Sequence, residues 1–296
     1  WGEGHVFVTR IYCNIGLVYY HQGDPIKSLE YYQKAMEIRI NYLKKGIGSK
    51  TLIQHDIQIA TISNLRGWVY DSMGKHSEAL KEYKKALKCY LTQLGEIHPD
   101  IASLYNNIGL TYLSQGKLEK ALDVYMKALK IFEETLGLNH PRIATAYNNI
   151  GAVLVELGRV DEAQEFLQRA LDIDLAHLGK DHPNLIKGHN NIASIYLYQK
   201  KFALALKHFG IALQIKHKNP AYSTIEIATA FDGCGCVNVF HNKYDEAINN
   251  YQKSIAIRTR TVKVKVTDSE LIDYKRLAFE LDKARDATAS NHIDQI

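Results

Sequence analysis

The chain has 296 residues, of which 46% are hydrophobic and 23% charged, and it carries a formal net charge of +5. That apolar share excludes a disordered chain, and no apolar run approaches the ~20 residues that a membrane span requires. Its 37 basic residues are interspersed with 32 acidic ones, a mixed surface and not the one-sided basic footprint of a nucleic-acid partner.

From the N-terminus, Ile15, Gly16, Tyr19, Ser28, Tyr32 and Ala35 open a pattern of two amphipathic helices over residues 5–40. A second unit, 57–94, repeats it with Gly67, Tyr70, Ala79, Tyr83 and Ala86. Gly16 and Gly67 are 51 residues apart, and the excess falls in Lys44-Lys45-Gly46-Ile47-Gly48-Ser49-Lys50, which reads as an enlarged surface loop. Arg66 replaces the usual aliphatic before Gly67, which predicts looser packing there. The third unit, 99–136, follows Leu94-Gly95-x-x-His98-Pro99 and contains Asn106-Asn107-Ile108-Gly109. The same two motifs return as Leu136-Gly137-x-x-His140-Pro141 with Asn148-Asn149-Ile150-Gly151 (141–178), and as Leu178-Gly179-x-x-His182-Pro183 with Asn190-Asn191-Ile192-Ala193 (183–217). In the sixth unit, 223–258, the linker is replaced by Lys216-His217-Lys218-Asn219-Pro220, yet Ile227-Ala228 stays in phase with Ile101-Ala102. Thr267 and Glu270 form a capping box for a final amphipathic helix over 267–287, with a frayed tail at 288–296.

The period is 42 residues: Ala79, Ala121, Ala163, Ala205 and Ala247 mark it, as do Ala86, Ala128, Ala170 and Ala212. Such a repeat is the signature of stacked helical hairpins. Within one unit, Pro99 suits a first helical turn, and Ile101, Ala102, Tyr105, Ile108, Gly109 and Tyr112 keep helical spacing. Gly116 breaks the helix. Leu118, Ala121, Leu122, Tyr125, Ala128, Leu129 and Phe132 then form a second one. Gly109 and Ala121 allow the two helices to cross closely, with Tyr112 and Tyr125 filling the remaining space.

A Gly or Ala, a Tyr three residues on, an Ala twelve on, an aromatic sixteen on and an Ala nineteen on resemble the tetratricopeptide repeat. The 42-residue unit, the Leu-Gly-x-x-His-Pro linker and the Asn-Asn-Ile-Gly core are similar to the variant found in kinesin light chains, although the heptad coiled coil of those proteins is absent. The resemblance covers residues 5–258 and implies an all-α, right-handed α-solenoid of six hairpins, with 267–287 as a C-terminal cap. It implies a non-catalytic scaffold or adaptor, in its finer form a cargo adaptor of the kinesin light chain kind, whose first helices line a groove for a protein or peptide segment. Position by position, that groove takes Arg10, Asn14, Asn64, Asn106, Asn107, Asn148, Asn149, Asn190 and Asn191. Leu110, Ala152 and Ser194 form its floor, Leu113, Val155, Leu197, Tyr198 and Phe240 its apolar contacts, and Lys187 joins Arg10 as a second cation. Asn side chains donate and accept, so a row of them can bond a peptide backbone of any sequence; alternatively they bond between neighbouring helices and hold the stack.

The remaining candidates read as structure. One metal ion cannot bridge His98, His140 and His182, which recur once per hairpin about 10 Å apart against Zn–N bonds of ~2 Å; they read as helix starts. Cys234 and Cys236 point in different directions on one helix, with Cys234 in the core. Together with Cys13 and Cys89 they are too few for a disulfide framework, which points to a reducing, cytoplasmic compartment. Arg258, Arg260, Lys263 and Lys265 form a basic run read as a solvated helix end. No catalytic constellation, cofactor, metal, nucleic-acid or membrane site is expected. Trp1 stands where an initiator Met would, so a monomeric array within a longer protein is expected, with the regulatory arm of an enzyme or a self-associating solenoid as alternatives.

Overall fold

The computed structural model describes residues 6–47, 56–219 and 225–261, and its regular elements are α-helices throughout these stretches. The helix expected over 267–287, the tail 288–296, and Lys263 and Lys265 lie outside the described residues. The chain divides into two units, meeting at Gly158 and Arg159. The first contains α1 (Val6–His21), α2 (Pro25–Ile47), α3 (Ile57–Ser72), α4 (His76–Leu94), α5 (Pro99–Ser114), α6 (Leu118–Leu136) and α7 (Pro141–Glu156). There α1/α2, α3/α4 and α5/α6 are hairpins; α2 packs on α3, α4 on α5 and α6 on α7. The second contains α8 (Val160–Leu178), α9 (Leu185–Tyr198), α10 (Phe202–Lys218), α11 (Ile225–Phe240) and α12 (Tyr244–Thr261). In it α9/α10 and α11/α12 are hairpins, α8 packs on α9 and α10 on α11.

Helix ends follow from the linker residues. The Nδ1 atoms of His98, His140 and His182 accept from the backbone N–H groups of Asp100, Arg142 and Asn184 at 3.2, 3.1 and 3.2 Å. Each imidazole thereby satisfies a helix-start donor that would otherwise be orphaned. After His182 the helix begins at Leu185, two residues later than the proline suggests, because Leu185 and Ile186 first bond carbonyls three residues back. Inside the hairpins, Gly116 takes φ +67° while Lys117 N–H returns to the Tyr112 carbonyl at 2.9 Å. The equivalent turns of the second unit place Lys200 and Asn242 at φ +58°.

The close crossing within a hairpin is made by a glycine and an aromatic ring. A Cβ on Gly109 would lie 2.4 Å from Tyr125, and the same pairing holds for Gly16 with Tyr32, Gly67 with Tyr83, and Gly235 with Tyr251. Tyr125, sixteen residues on, thus sets the requirement for glycine more directly than Ala121 does. The fifth hairpin has Ala193 at the crossing position, and its ring, Phe209, lies against Gly233 of the next hairpin, 2.1 Å from where a Cβ would stand.

Two expectations around the first junction are corrected. α2 continues to Ile47, so residues 44–47 are helical and not part of a loop; Lys44 and Lys45 are good helix formers and extend the preceding pattern. Arg66 does not loosen its hairpin: Gly67 and Tyr83 approach as elsewhere, while the guanidinium reaches back to Gln33 Oε1 at 2.8 Å. Beside it, Arg39 of α2 donates to Asp56 at 2.7 Å, and Asp56 caps α3 by accepting from Ile59 N–H at 3.0 Å.

Candidate peptide-binding surface

The first helices of the first unit bring the asparagines together in pairs that cross from one hairpin to the next. Asn107 Nδ2 donates to Asn64 Oδ1 at 3.1 Å, and Asn149 Nδ2 donates to Asn106 Oδ1 at 2.7 Å. In each pair the second asparagine of a motif holds the first asparagine of the preceding unit. Of the two roles weighed for the asparagines, Asn107 and Asn149 make the bond between neighbouring helices. The carbonyl oxygens of Asn64 and Asn106 each accept one of these bonds, and their half-buried amide groups remain able to donate. Asn148, also half-buried, stands at the equivalent place one unit further.

Apolar contact surface accompanies the row. Leu110 and Val155 are about 40% exposed, and Leu113 is half-buried. Ala152 is exposed as well, while Arg10 and Asn14 are exposed on α1.

The second unit treats its candidates differently. Asn190 is only 4% exposed, and its Nδ2 donates to the Glu226 carbonyl at the start of α11. It does not line a surface. The reason lies in the next motif, where Gly233 replaces the asparagine that would have held it, so the side chain turns into the α9–α11 contact. Phe240 remains exposed, but its ring stacks on Phe202 at 4.8 Å and so ties α11 to α10. Lys187, Ser194 and Tyr198 are exposed, and Asn191 and Leu197 half-buried. Sequence reasoning missed a histidine pair here: buried His189 and half-buried His208 face each other at 3.1 Å between Nδ1 atoms, with Tyr196 alongside. Burial, then the charge of His208, holds His189 down to about 4.

The remaining polar candidates are structural. Arg258 is paired with Asp232 at 2.6 Å. All four cysteines are free thiols; Cys234 is buried, which pushes it up to about 11, and Cys236 accepts from Tyr251 Oη at 3.3 Å. Among the described residues no group of three or more His, Cys, Asp or Glu is placed to hold a metal ion, and no helix is long and apolar enough to cross a membrane.

Repeated antiparallel hairpins, each crossing on a small residue and joined by polar pairs between neighbours, define a helical-repeat protein. A tetratricopeptide repeat family model matches residues 7–92, 100–176 and 178–260, and a second one matches 64–132. The chain belongs to the tetratricopeptide repeat family, whose fold serves as a protein-interaction scaffold. No curated protein sequence matches it significantly. Among solved structures, BtubC (BKLC) from P. vanneervenii has a TM-score of 0.63 at 24% identity, over 73% of this chain and 83% of that one. A Podosopora anserina putative kinesin light chain with nearly identical TPR-like repeats gives 0.58 at 16%, over 71% and 95%. Pseudomonas aeruginosa pilF gives 0.59 at 16%, over 92% and 97%. At these identities the likeness speaks for the fold.

Proposed function

We propose that the chain is a non-catalytic adaptor that holds an extended peptide segment of a partner protein along the first-helix row of its first unit. The observation that carries this reading is the pair of half-buried amide donors on Asn64 and Asn106, each side chain fixed by an asparagine of the following hairpin. A peptide carbonyl is a fitting acceptor, and Leu110, Leu113 and Val155 offer apolar contacts beside it. Because the row is oriented before the ligand arrives, binding does not carry the full entropy of ordering those side chains. A cargo-adaptor role of the kinesin light chain kind is the finer form of the same reading, supported by the 42-residue unit. A reducing, cytoplasmic setting accords with four unpaired thiols.

The test uses peptides selected on the whole chain from a random display library and measured by fluorescence anisotropy. Asn64→Ala with Asn106→Ala should weaken the best binder by about tenfold or more, equivalent to about 1.4 kcal/mol, with little change in melting temperature. Unchanged affinity in that double variant would refute the reading.

A further inference from the structure

The second hairpin departs from the repeat at two buried positions, and both open onto one cavity. Four residues before the crossing position, the other five hairpins carry a ring: Tyr12, Tyr105, Tyr147, His189 and Phe231. The second hairpin carries Ser63 there. Three residues after the position of Ala86, the other five carry isoleucine: Ile38, Ile131, Ile173, Ile215 and Ile257. The second hairpin carries Cys89. Ser63 and Cys89 line a cavity of about 330 Å³ between α2, α3 and α4, with Met36, Ile59 and Ala60 as apolar walls. The exposed side chains of Lys85 and Lys88 complete its lining. In the third hairpin Tyr105 and Ile131 take up the corresponding space. A groove of about 370 Å³ remains there, but Glu96 and Glu134 in its lining offset Lys127 and Lys130.

We propose that the cavity of the second hairpin binds a small aromatic acid. Its ring lies over Ser63 and Cys89, replacing from outside the ring that the other hairpins carry themselves, and its carboxylate meets Lys88. The size is adequate, since small-molecule pockets begin at ~300 Å³ and an apolar cavity of ~150 Å³ already admits benzene. The lining suits a ring: Met36 and Cys89 contribute sulfur atoms, which make favourable contacts with aromatic edges. The rim suits an anion. Lys85 donates to Glu82 at 2.7 Å and is neutralised by it, so the positive charge offered to the ligand comes from Lys88. The equivalent groove of the third hairpin, already filled by its own ring and edged with carboxylates, does not share this chemistry.

Phenylacetate, titrated onto the whole chain and followed by ligand-observed NMR, tests the assignment. The wild type should bind it saturably with a Kd on the order of 1 mM or tighter. Ser63→Tyr with Cys89→Ile restores the residues of the other hairpins. It should lower the affinity at least tenfold while the melting temperature stays level or rises, as filling a cavity does. Cys89→Ile alone should weaken binding several-fold and reads the same cavity if the double variant does not fold. Lys88→Gln should weaken phenylacetate several-fold and leave benzyl alcohol unchanged. A wild type without saturable binding would overturn the proposal. So would full affinity in the cavity-filling variants, or an equal response of the acid and the alcohol to Lys88→Gln. None of the substituted residues belongs to the asparagine row, so each outcome is independent of peptide binding there.

Discussion

His189 and His208 show how a single buried contact governs behaviour far from its size. With both rings neutral, one Nδ1 donates to the other across 3.1 Å; a proton on each would set donor against donor. His189 is held down to about 4 from an ordinary value near 6.5, so between these limits the unfolded chain binds the proton more readily than the folded one. Stability from this group is therefore complete above about pH 6.5 and is lost as the pH falls toward 4. With solvent screening allowed for, the loss should be on the order of 1–2 kcal/mol. Thermal unfolding at pH 7 and pH 5 should show a drop in the wild type that is much smaller in His189→Gln. An equal drop in both would show that the pair does not set the acid sensitivity.

At the scale of the helix, the turn between paired helices separates what composition can tell from what geometry must. The glycine turns are legible, because Gly116 sits where a helical pattern breaks and takes the left-handed conformation that ends a helix. Lys200 and Asn242 occupy the same backbone conformation without that signal. The surrounding bonds force it, as Lys200 N–H reaches the Leu197 carbonyl and Lys201 N–H the Tyr196 carbonyl, just as in the third hairpin. For a residue with a Cβ that conformation costs about 1–2 kcal/mol. Lys200→Gly should therefore raise stability by about 0.5–1 kcal/mol after the greater freedom of glycine in the unfolded chain is counted. Asn242→Gly should gain less, since asparagine tolerates the conformation. Urea unfolding of the two variants measures both; a destabilised Lys200→Gly would contradict the bond pattern just described.

Across the whole molecule, the hairpin pattern and its period can be read directly, because small residues and aromatics recur at fixed offsets. The partner of each asparagine cannot. A periodic sequence shows that Asn106 and Asn107 share a position type, but only the offset between neighbouring hairpins reveals that Asn107 serves Asn64 while Asn106 is served by Asn149. For the same reason Asn190 is equivalent to Asn106 in sequence and not in space, where Gly233 leaves it without a holder, and Phe240 is tied down by a ring, Phe202, from the preceding hairpin. The proposed binding row is thus a property of adjacent hairpins and of no hairpin alone. A double-mutant cycle should register this. Asn149→Ala, which removes no proposed ligand contact, should weaken peptide binding, and its effect should largely vanish once Asn106 is already Ala. Strict additivity would mean that the two asparagines act independently.

The glycine–ring crossings bear on how such arrays can be recombined. Where Gly109 receives Tyr125, both members of the pair travel within one hairpin, so moving that hairpin keeps this crossing intact. Phe209 breaks this autonomy, since its cavity is provided by Gly233 of the following hairpin. A cut between α10 and α11 would therefore separate a ring from the backbone thin enough to admit it.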